Sequence, residues 1–295
     1  MQVSTSLFYD RASQRMSSLS SKIDTINAQI SSGKKLLAPD DDSVAYQRLQ
    51  SIARDTSDAA AYAKNLSVAK LAFSQADSTL TSLTQRLQRA NELATQAANG
   101  TVSPTDKQAI AAELDKIIDD VVSFANTTDA RGQPVFGGTN GTTAVTRTGS
   151  TITFSAGTQA AIPISADQDV VAGVNAETFL KLPSGADVVS VLSALRDQLN
   201  AGGVVDTAGA QADITSISTQ VTSTQAALGA RAARVDLQQT IQTDDATNRE
   251  IARSSLEDVD VTDAYVQLQK QMTALQATQA SFSKLTGLSL FDYLR

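Results

Sequence analysis

Apolar residues recur at steps of three and four along both ends of the chain, a pattern typical of helices with one apolar face. The amino-terminal seam consists of Tyr9, Ala12, Met16, Leu19, Ile23, Ile26 and Ile30. The carboxy-terminal seam consists of Val261, Tyr265, Leu268, Met272, Leu275 and Phe282. An isolated helix gains little from such a face until another surface covers it. The pattern therefore predicts two helical arms that pair with each other, with other copies of the chain, or with both.

The carboxy-terminal arm helix is expected to end at Gly287, because glycine is a poor helix former and often marks a helix end. A compact apolar tail follows, from Leu288 to Arg295. Residues 1–39 carry five basic and two acidic side chains, a net charge of +3, whereas residues 256–295 carry three basic and five acidic ones, a net charge of −2. Opposite charges mildly favour arms that lie side by side, although exposed ion pairs contribute at most ~1 kcal/mol each.

Between the arms, a seven-residue repeat of apolar positions predicts a long coiled-coil helix of about 58 residues. The repeat consists of Ile52, Ala59, Leu66, Phe73, Leu80, Leu87 and Ala94. Asn99-Gly100 is expected to end this helix. Ser103 and Pro104 are the N-cap and first residue expected of a second helix, which returns antiparallel to the first.

Three consecutive carboxylates, Asp40 to Asp42, come directly before the long helix. Carboxylates at this position can accept hydrogen bonds from the free N–H groups of the first helical turn and favour the positive end of the helix dipole. The alternative is a calcium site, but the alternating ligands and the glycine of a calcium-binding loop are missing. We therefore interpret these residues as a helix cap.

Residues 134–186 differ from the rest in their frequent glycine and threonine and in their short alternating patterns. Val145–Arg147 and Thr151–Phe154 are predicted to form a hairpin, and Ala161–Ile164 a further edge strand. We expect this insert to bury its apolar residues locally, so that the neighbouring helices do not depend on it. Helical patterns resume near Asp187 and continue, after a break at two glycines, through the remainder of the chain.

These patterns predict a mainly α fold, in which a long antiparallel coiled-coil rod is built from both chain ends and a small β-rich insert lies at the far end. Residues 1–40 and 258–295 would form the terminal assembly arms. Residues 41–133 and 187–257 would form the helical rod body, and residues 134–186 the β-rich outer insert.

The chain contains neither cysteine nor histidine, and it is acidic, with a net charge of −7 and an isoelectric point near 4.7. The missing residues remove the usual ligands of zinc, haem and iron–sulfur clusters and the Cys- and His-dependent forms of covalent catalysis. An acidic chain also lacks the basic face that sequence-independent nucleic-acid binding requires. We therefore predict a protein that is not an enzyme, with no cofactor or metal site and no nucleic-acid partner.

Only 4% of the residues are aromatic, and none is tryptophan. Such a composition favours thin helical seams over a broad globular core. The first ten residues have neither the basic nor the apolar region of a secretory signal peptide, so no cleaved signal is expected. No apolar run reaches the ~18 residues that span a membrane, so no membrane insertion is expected.

Several segments together resemble the flagellin superfamily. At the amino-terminal end they are Val3–Tyr9 with Met16, Gln29–Leu36 and Pro39–Asp42; further on they are Phe136–Gly138, Leu228–Arg231 with Asp236, and the tail Leu288–Leu294. Within the family, the tail and the amino-terminal signature are more similar to the members that join hook to filament than to those that form the filament. Many members have Asp-Asp-Pro where this chain has Asp41-Asp42-Ser43, which leaves the start of the following helix open by a residue or two.

The resemblance implies a structural subunit that leaves the cell through the flagellar type III export apparatus, with or without a dedicated chaperone. Outside the cell it would form an adaptor ring of identical subunits between the first hook-associated protein and flagellin. One alternative is a filament-forming or minor flagellin. Another is a flagellin homologue whose insert binds glycans, although residues 137–178 offer only Phe154 as an aromatic platform.

On either flagellar interpretation, the seams of the two arms would supply the contacts between subunits. The predicted assembly interface consists of Met16, Leu19, Ile23, Ile26, Ile30, Leu268, Met272, Leu275, Phe282, Leu285, Leu288 and Leu290.

Overall fold

The computed structural model describes residues 2–129, 132–138, 143–157 and 159–293, with side chains described between residues 7 and 284 of these ranges. Contacts between residues divide the chain into two units. The terminal unit comprises Met1–Ser57 and Asp245–Arg295, and the central unit comprises Asp58–Asp244. The two units are described separately below.

The chain forms seven helices and four short strands within the described residues. The helices are α1 (Gln2–Ser32), α2 (Ser43–Ala97), α3 (Pro104–Ala125), α4 (Glu177–Leu180), α5 (Val188–Ala201), α6 (Thr207–Glu257) and α7 (Val261–Tyr293). The strands are β1 (Val145–Thr148), β2 (Thr151–Phe154), β3 (Ala161–Pro163) and β4 (Asp169–Val171). The predicted fold class is confirmed, since long helices from both chain ends pack together and a small β-rich insert lies between them. None of the described helices combines the length and the apolar character needed to cross a membrane.

One predicted boundary is wrong. Helix α7 does not end at Gly287 but continues through it to Tyr293. A glycine inside a helix costs roughly 1 kcal/mol relative to alanine, because its unfolded backbone has more freedom to lose. That cost is too small to end by itself a helix of 33 residues.

The heptad repeat of α2 forms the core of the central unit. Leu66, Phe73, Leu80 and Leu87 are all buried, as are Ala69 and Ala76, which lie between them. Small residues allow a neighbouring helix to approach closely, so the seam is thin but continuous. Helix α3 begins as expected: the Ser103 hydroxyl accepts a hydrogen bond from a backbone N–H of the first turn, and a proline follows it.

Helices α2 and α6 run antiparallel within the central unit, as their side-chain bonds show. Lys70 Nζ contacts Asp236 Oδ1 at 2.7 Å. Towards the end of α2 and the start of α6, Gln211 Nε2 donates to Thr95 Oγ1 at 2.8 Å. The residue number increases along α2 while that of the bonded residue in α6 decreases. The two long helices therefore form the antiparallel pair that the sequence predicts.

Helix α3 is tied to its neighbours by charge. Four of its carboxylates each meet an arginine from another element, at distances of 2.7 to 3.0 Å. The pairs are Glu113 with Arg89 of α2, Asp120 with Arg86 of α2, Asp115 with Arg196 of α5, and Asp119 with Arg147 of β1. Each partly exposed pair contributes at most ~1 kcal/mol, so together they fix the orientation of α3 more than its stability.

The insert contains two separate two-stranded antiparallel sheets. Strands β1 and β2 form the predicted hairpin, with Val145 opposite Phe154. Gly149 has a φ of +63°, the left-handed value that suits the first loop position of a tight hairpin turn. Strand β3 was predicted, whereas its partner β4 was not, because Asp169–Val171 offers only three residues of pattern.

Contrary to expectation, the insert does not bury its apolar residues on its own. Val145 and Ile152 belong to the same apolar cluster as Leu114 and Leu192 of the helices. The physical reason is size, since a two-stranded sheet of three or four residues cannot cover its own apolar face. The insert is therefore part of the central unit.

Asn126, which directly follows α3, forms the main polar link to the insert. Its side-chain oxygen accepts hydrogen bonds from the N–H groups of Ala144 and Val145, at 2.9 and 3.0 Å. Its side-chain nitrogen donates to the Val145 carbonyl at 3.0 Å. All three bonds are partly buried, and together they hold the start of β1 against the end of α3.

We expect Asn126→Ala to lower the free energy of unfolding by about 2–3 kcal/mol, because three backbone groups lose their partner. Asn200→Ala, at an exposed position of α5, is the matched control and should change it by less than ~0.5 kcal/mol. Urea titration of both variants measures the difference. Equal midpoints for the two variants would contradict the assigned role of Asn126.

Two serines of α5 should respond in opposite directions to the same substitution. Ser193 is fully buried and its hydroxyl makes no hydrogen bond with any described residue, whereas the Ser190 hydroxyl bonds the backbone of Asp187 in a capping box. Ser193→Ala should raise the midpoint of urea unfolding, because an unsatisfied buried hydroxyl costs about 1–3 kcal/mol. Ser190→Ala should lower it by about 1 kcal/mol. A fall in both midpoints would show that Ser193 has a partner.

Candidate assembly interface

The amino-terminal seam forms the inner face of α1. Tyr9, Ala12, Met16, Leu19 and Ile23 are half-buried, and so is Ile30, while Ile26 is buried. The positions between them are exposed, with Gln29 as the exception. Helix α1 packs against α7, which confirms that the two arms pair with each other within one chain.

Helix α7 runs antiparallel to α1. The rings of Tyr9 and Phe282 meet edge to face, with their centroids 5.5 Å apart. Near the other end of both helices, the N–H of Val259 donates to the carbonyl of Gly33 at 3.0 Å. The two pairings agree in register, so the helices stay aligned from one end of the described seam to the other.

The predicted seam of α7 separates into two stripes. Leu268, Leu275 and Phe282 are half-buried and share a seven-residue spacing. Val261, Tyr265 and Met272 are 46%, 57% and 42% exposed. At 100° per residue, these three fall within about 40° of one another on the helix surface, beside the half-buried stripe. Helix α7 therefore has one apolar face directed at α1 and a second one open to solvent, which we call the outer stripe.

The structure thus brings together eight of the predicted interface residues and separates one from them. The eight are Met16, Leu19, Ile23, Ile26, Ile30, Leu268, Leu275 and Phe282, which form the half-buried faces of the two arms. Met272 lies instead on the outer stripe. The side chains of Leu285, Leu288 and Leu290 are outside the described residues.

The terminal unit is much less well buried than the central unit. Among the side chains that the structure describes, only three buried apolar residues belong to it, namely Ile26, Ala45 and Ala264. The other buried apolar residues belong to the central unit. A helix pair whose seam is only half-buried retains apolar surface for a partner to cover.

The connectors at the base of the arms are bonded to each other. The backbone of Gly33–Lys35 lies beside that of Glu257–Val259: the N–H of Lys35 donates to the Glu257 carbonyl at 2.8 Å, in addition to the Val259–Gly33 bond. Gly33 has a φ of +72°, which allows the chain to turn out of α1. We call this pairing of the two connectors the connector clip.

Side chains reinforce the connector clip. Lys34 forms an ion pair with Glu257, which also contacts Arg253 at 2.7 Å. Lys35 Nζ donates to the Ser255 carbonyl at 2.9 Å. Hydrogen bonding from Lys34, and to a smaller extent from Arg253, holds the pKa of Glu257 below its ordinary value even though burial opposes this. The Glu257 side chain is only 14% exposed, so its pair with Lys34 is partly shielded from water.

Sequence reasoning missed the connector clip, although a signal was present. Lys34-Lys35 and Glu257-Asp258 are doublets of opposite charge, and each lies at a break between two helices. Pairing the doublets would have brought the two breaks together. The opposite net charges of the two arms also favoured their pairing, but they did not indicate which residues pair.

Of the carboxylates before α2, Asp42 caps the helix and Asp41 bonds the backbone of the connector. Asp42 Oδ1 accepts hydrogen bonds from the N–H groups of Val44 and Ala45, and Asp41 Oδ2 accepts them from Leu37 and Ala38. The bond from the Ala38 N–H, and then that from the Leu37 N–H, holds the pKa of Asp41 below its ordinary value. Within the described ranges, no group of three or more metal-binding side chains is arranged to hold an ion. The predicted capping role therefore holds for Asp42, whereas Asp41 orders the connector that precedes the helix.

Comparison with known proteins identifies the class. Residues 3–141 match the bacterial flagellin N-terminal helical region, and residues 212–294 match the bacterial flagellin C-terminal helical region. These two regions contain α1, α7 and the connector clip. The chain therefore belongs to the flagellin family.

Individual members of the family differ in how much of this chain they match. The chain is 25% identical to flagellar hook-associated protein 3 of Salmonella typhimurium over an alignment of 318 positions, which covers 100% of both chains. It is 29% identical to polar flagellin C of Vibrio parahaemolyticus, but over only 47% of this chain and 36% of that protein. Among solved structures, FlgL of Xanthomonas campestris superposes with a TM-score of 0.61 at 16% identity, covering 68% of this chain and 99% of that one. The flagellar junction protein FlgL of Legionella pneumophila superposes with a TM-score of 0.58 at 14% identity, covering 72% and 100%.

Glu257 should make the connector clip sensitive to acid. Because its pKa is lower in the folded chain than in the unfolded one, its contribution is complete above the unfolded pKa, near 4.5, and is lost as the pH falls through the folded value. Glu257→Gln should remove this dependence and weaken the clip by about 1 kcal/mol at neutral pH. Hydrogen exchange at the Lys35 amide, corrected for its intrinsic rate, measures the effect.

Glu250→Gln is the matched control, since Glu250 also contacts Arg253 but lies outside the clip. It should leave the Lys35 amide protected. Equal loss of protection in both variants would assign the effect to Arg253 instead of the Lys34–Glu257 pair.

Proposed function

We propose that this chain is a structural subunit of the bacterial flagellum and occupies the junction between hook and filament. The observation that supports the junction over the filament is the length of the matches. The hook-associated protein aligns with the chain from end to end, whereas the flagellin aligns with less than half of it. A minor or filament-forming flagellin is the second candidate, supported by that partial match.

In this proposal the arms carry assembly. Their inner seams pair within one chain, while the outer stripe of α7, with Met272 at its centre, supplies apolar surface to a neighbouring subunit. Burial there would contribute ~25 cal/mol per Å² of apolar area before ordering costs are subtracted. Contacts between different patches of identical subunits close into a ring when the rotation allows it.

The same proposal includes the partners and the location. The first hook-associated protein would lie on one side of the ring and flagellin on the other. The chain would reach this position through the flagellar type III export apparatus, with or without a chaperone, and act outside the cell. Leu285, Leu288 and Leu290 would extend the assembly surface towards the end of α7.

The test uses a strain that lacks the gene for this chain. The wild-type chain should restore swimming and filaments attached to hooks. Met272→Asp should fold with unchanged helix content but restore swimming at least tenfold less well, because a charge on the outer stripe opposes burial. Thr273→Asp, at the next and exposed position, is the matched control and should swim as the wild type does.

Two results would contradict the proposal. If the wild-type chain restored no attached filaments, the junction assignment would be wrong, and long filaments made of the chain itself would favour the flagellin alternative. If Met272→Asp swam normally, the outer stripe would not be an assembly surface.

A further inference from the structure

A groove of about 470 Å³ runs along the α1–α7 pair, in the half of the arms that lies away from the connector clip. Its lining includes Phe8, Arg11, Arg15, Thr278, Ser281 and Phe282. Aromatic rings supply an apolar surface, and the two arginines, four residues apart, lie on the same side of α1. All of these residues belong to the terminal unit.

The groove is positively charged and lacks anions of its own. Among the side chains that the structure describes in this part of the arms, the charged ones are Asp10, Arg11, Arg15 and Lys284, and only the two arginines line the groove. Neither guanidinium forms an ion pair or hydrogen bond with any described residue. Like charges four residues apart on a helix repel each other, so this pair gains nothing within the chain. The groove suits an apolar side chain flanked by carboxylates.

The chain itself presents such a segment in the connector before α2. Asp40, Asp41 and Asp42 carry three negative charges, and the Asp40 carboxylate forms no hydrogen bond or ion pair with any described residue. Two apolar side chains flank them: Leu37 is exposed, and Val44 is 75% exposed. Asp41 and Asp42 each use one carboxylate oxygen to accept bonds from backbone N–H groups, and the other oxygen of each forms no hydrogen bond with any described residue.

One chain cannot bring these two features together. From Arg15 to the end of α1 the helix rises about 26 Å, and the acidic connector lies beyond that end. We propose that the groove of one copy receives the acidic connector of a second copy, with Arg11 and Arg15 facing Asp40 to Asp42. The inference rests on the proposed function and adds the contact by which neighbouring arms recognise each other. Because the two patches differ, it is a heterologous contact with an axial offset.

Disulfide trapping tests the contact directly, because the chain contains no cysteine. Purified full-length Ser281→Cys and Val44→Cys chains are mixed at high concentration and oxidised. Ser281 lies at the groove and Val44 beside the acidic connector. The matched control pairs Ser281→Cys with Val204→Cys, since Val204 is even more exposed, at 99%, but lies in the central unit. The first pair should form mixed dimers at least ten times faster than the control pair.

Charge reversal tests the recognition. In the Ser281→Cys chain, Arg15→Glu should slow trapping at least tenfold, and Asp40→Arg in the Val44→Cys chain should restore it. Lys22→Glu, elsewhere on α1, should leave the rate unchanged, and circular dichroism checks that each variant is folded. Rates equal to the control, an excess of Ser281→Cys homodimers, or failure of Asp40→Arg to restore trapping would overturn the inference.

The trapping results and the swimming results are independent. A chain that restores swimming without forming the mixed dimer would overturn this contact and leave the proposed function intact. A chain that forms the mixed dimer but restores no attached filaments would support the contact and contradict the proposed function.

Discussion

The structure depends on a constraint that long amphipathic helices impose: an apolar stripe must be covered, and a helix at a chain end has few surfaces within reach. Helix α1 meets the constraint by pairing with α7, from the opposite end of the sequence. The solution is incomplete, because α7 has a second stripe beside the one that faces α1. Val261, Tyr265 and Met272 remain exposed for that reason. The asymmetry between the arms, more than their pairing, is what leaves apolar surface for the proposed contact with other subunits.

The connector clip explains how two segments more than two hundred residues apart keep their register. Two backbone hydrogen bonds align Gly33–Lys35 with Glu257–Val259, and the ion pair of Lys34 with Glu257 lies over them. A helical seam of this kind could slide by one heptad at a modest cost, since each turn resembles the next. The clip removes that freedom at one end, and the contact between Tyr9 and Phe282 agrees with the same register towards the other. The aromatic residues of the groove are therefore held at a defined distance from the acidic connector.

The sequence predicted what local periodicity determines. The bounds of α2, α3 and the first hairpin followed from heptads, caps and turn residues, because those signals act within a few residues of where they occur. Strand β4 and the docking of the insert were missed because three residues of pattern and a shared apolar cluster leave no local signal. The connector clip was missed although its charge doublets were visible, because nothing local pairs doublets that lie more than two hundred residues apart. Asn126 shows the difference: a polar residue after a helix is ordinary, and nothing in it reveals a partner nearly twenty residues further on. The helix end predicted at Gly287 was wrong for the opposite reason, because there a local signal was present and the rest of α7 overrides it.

The distribution of burial links this composition to assembly. A chain with few aromatic residues gains little stability per turn, so its stability is spread along continuous seams instead of one compact core. The central unit contains nearly all of the buried apolar residues that the structure describes, and the terminal unit only three. The arms therefore lie at the low-stability end of the molecule, where segments open most readily. A partner that covers the remaining apolar surface of a half-buried segment also stabilises that segment. The arms are therefore the part of the chain best suited to gain contacts from a neighbour.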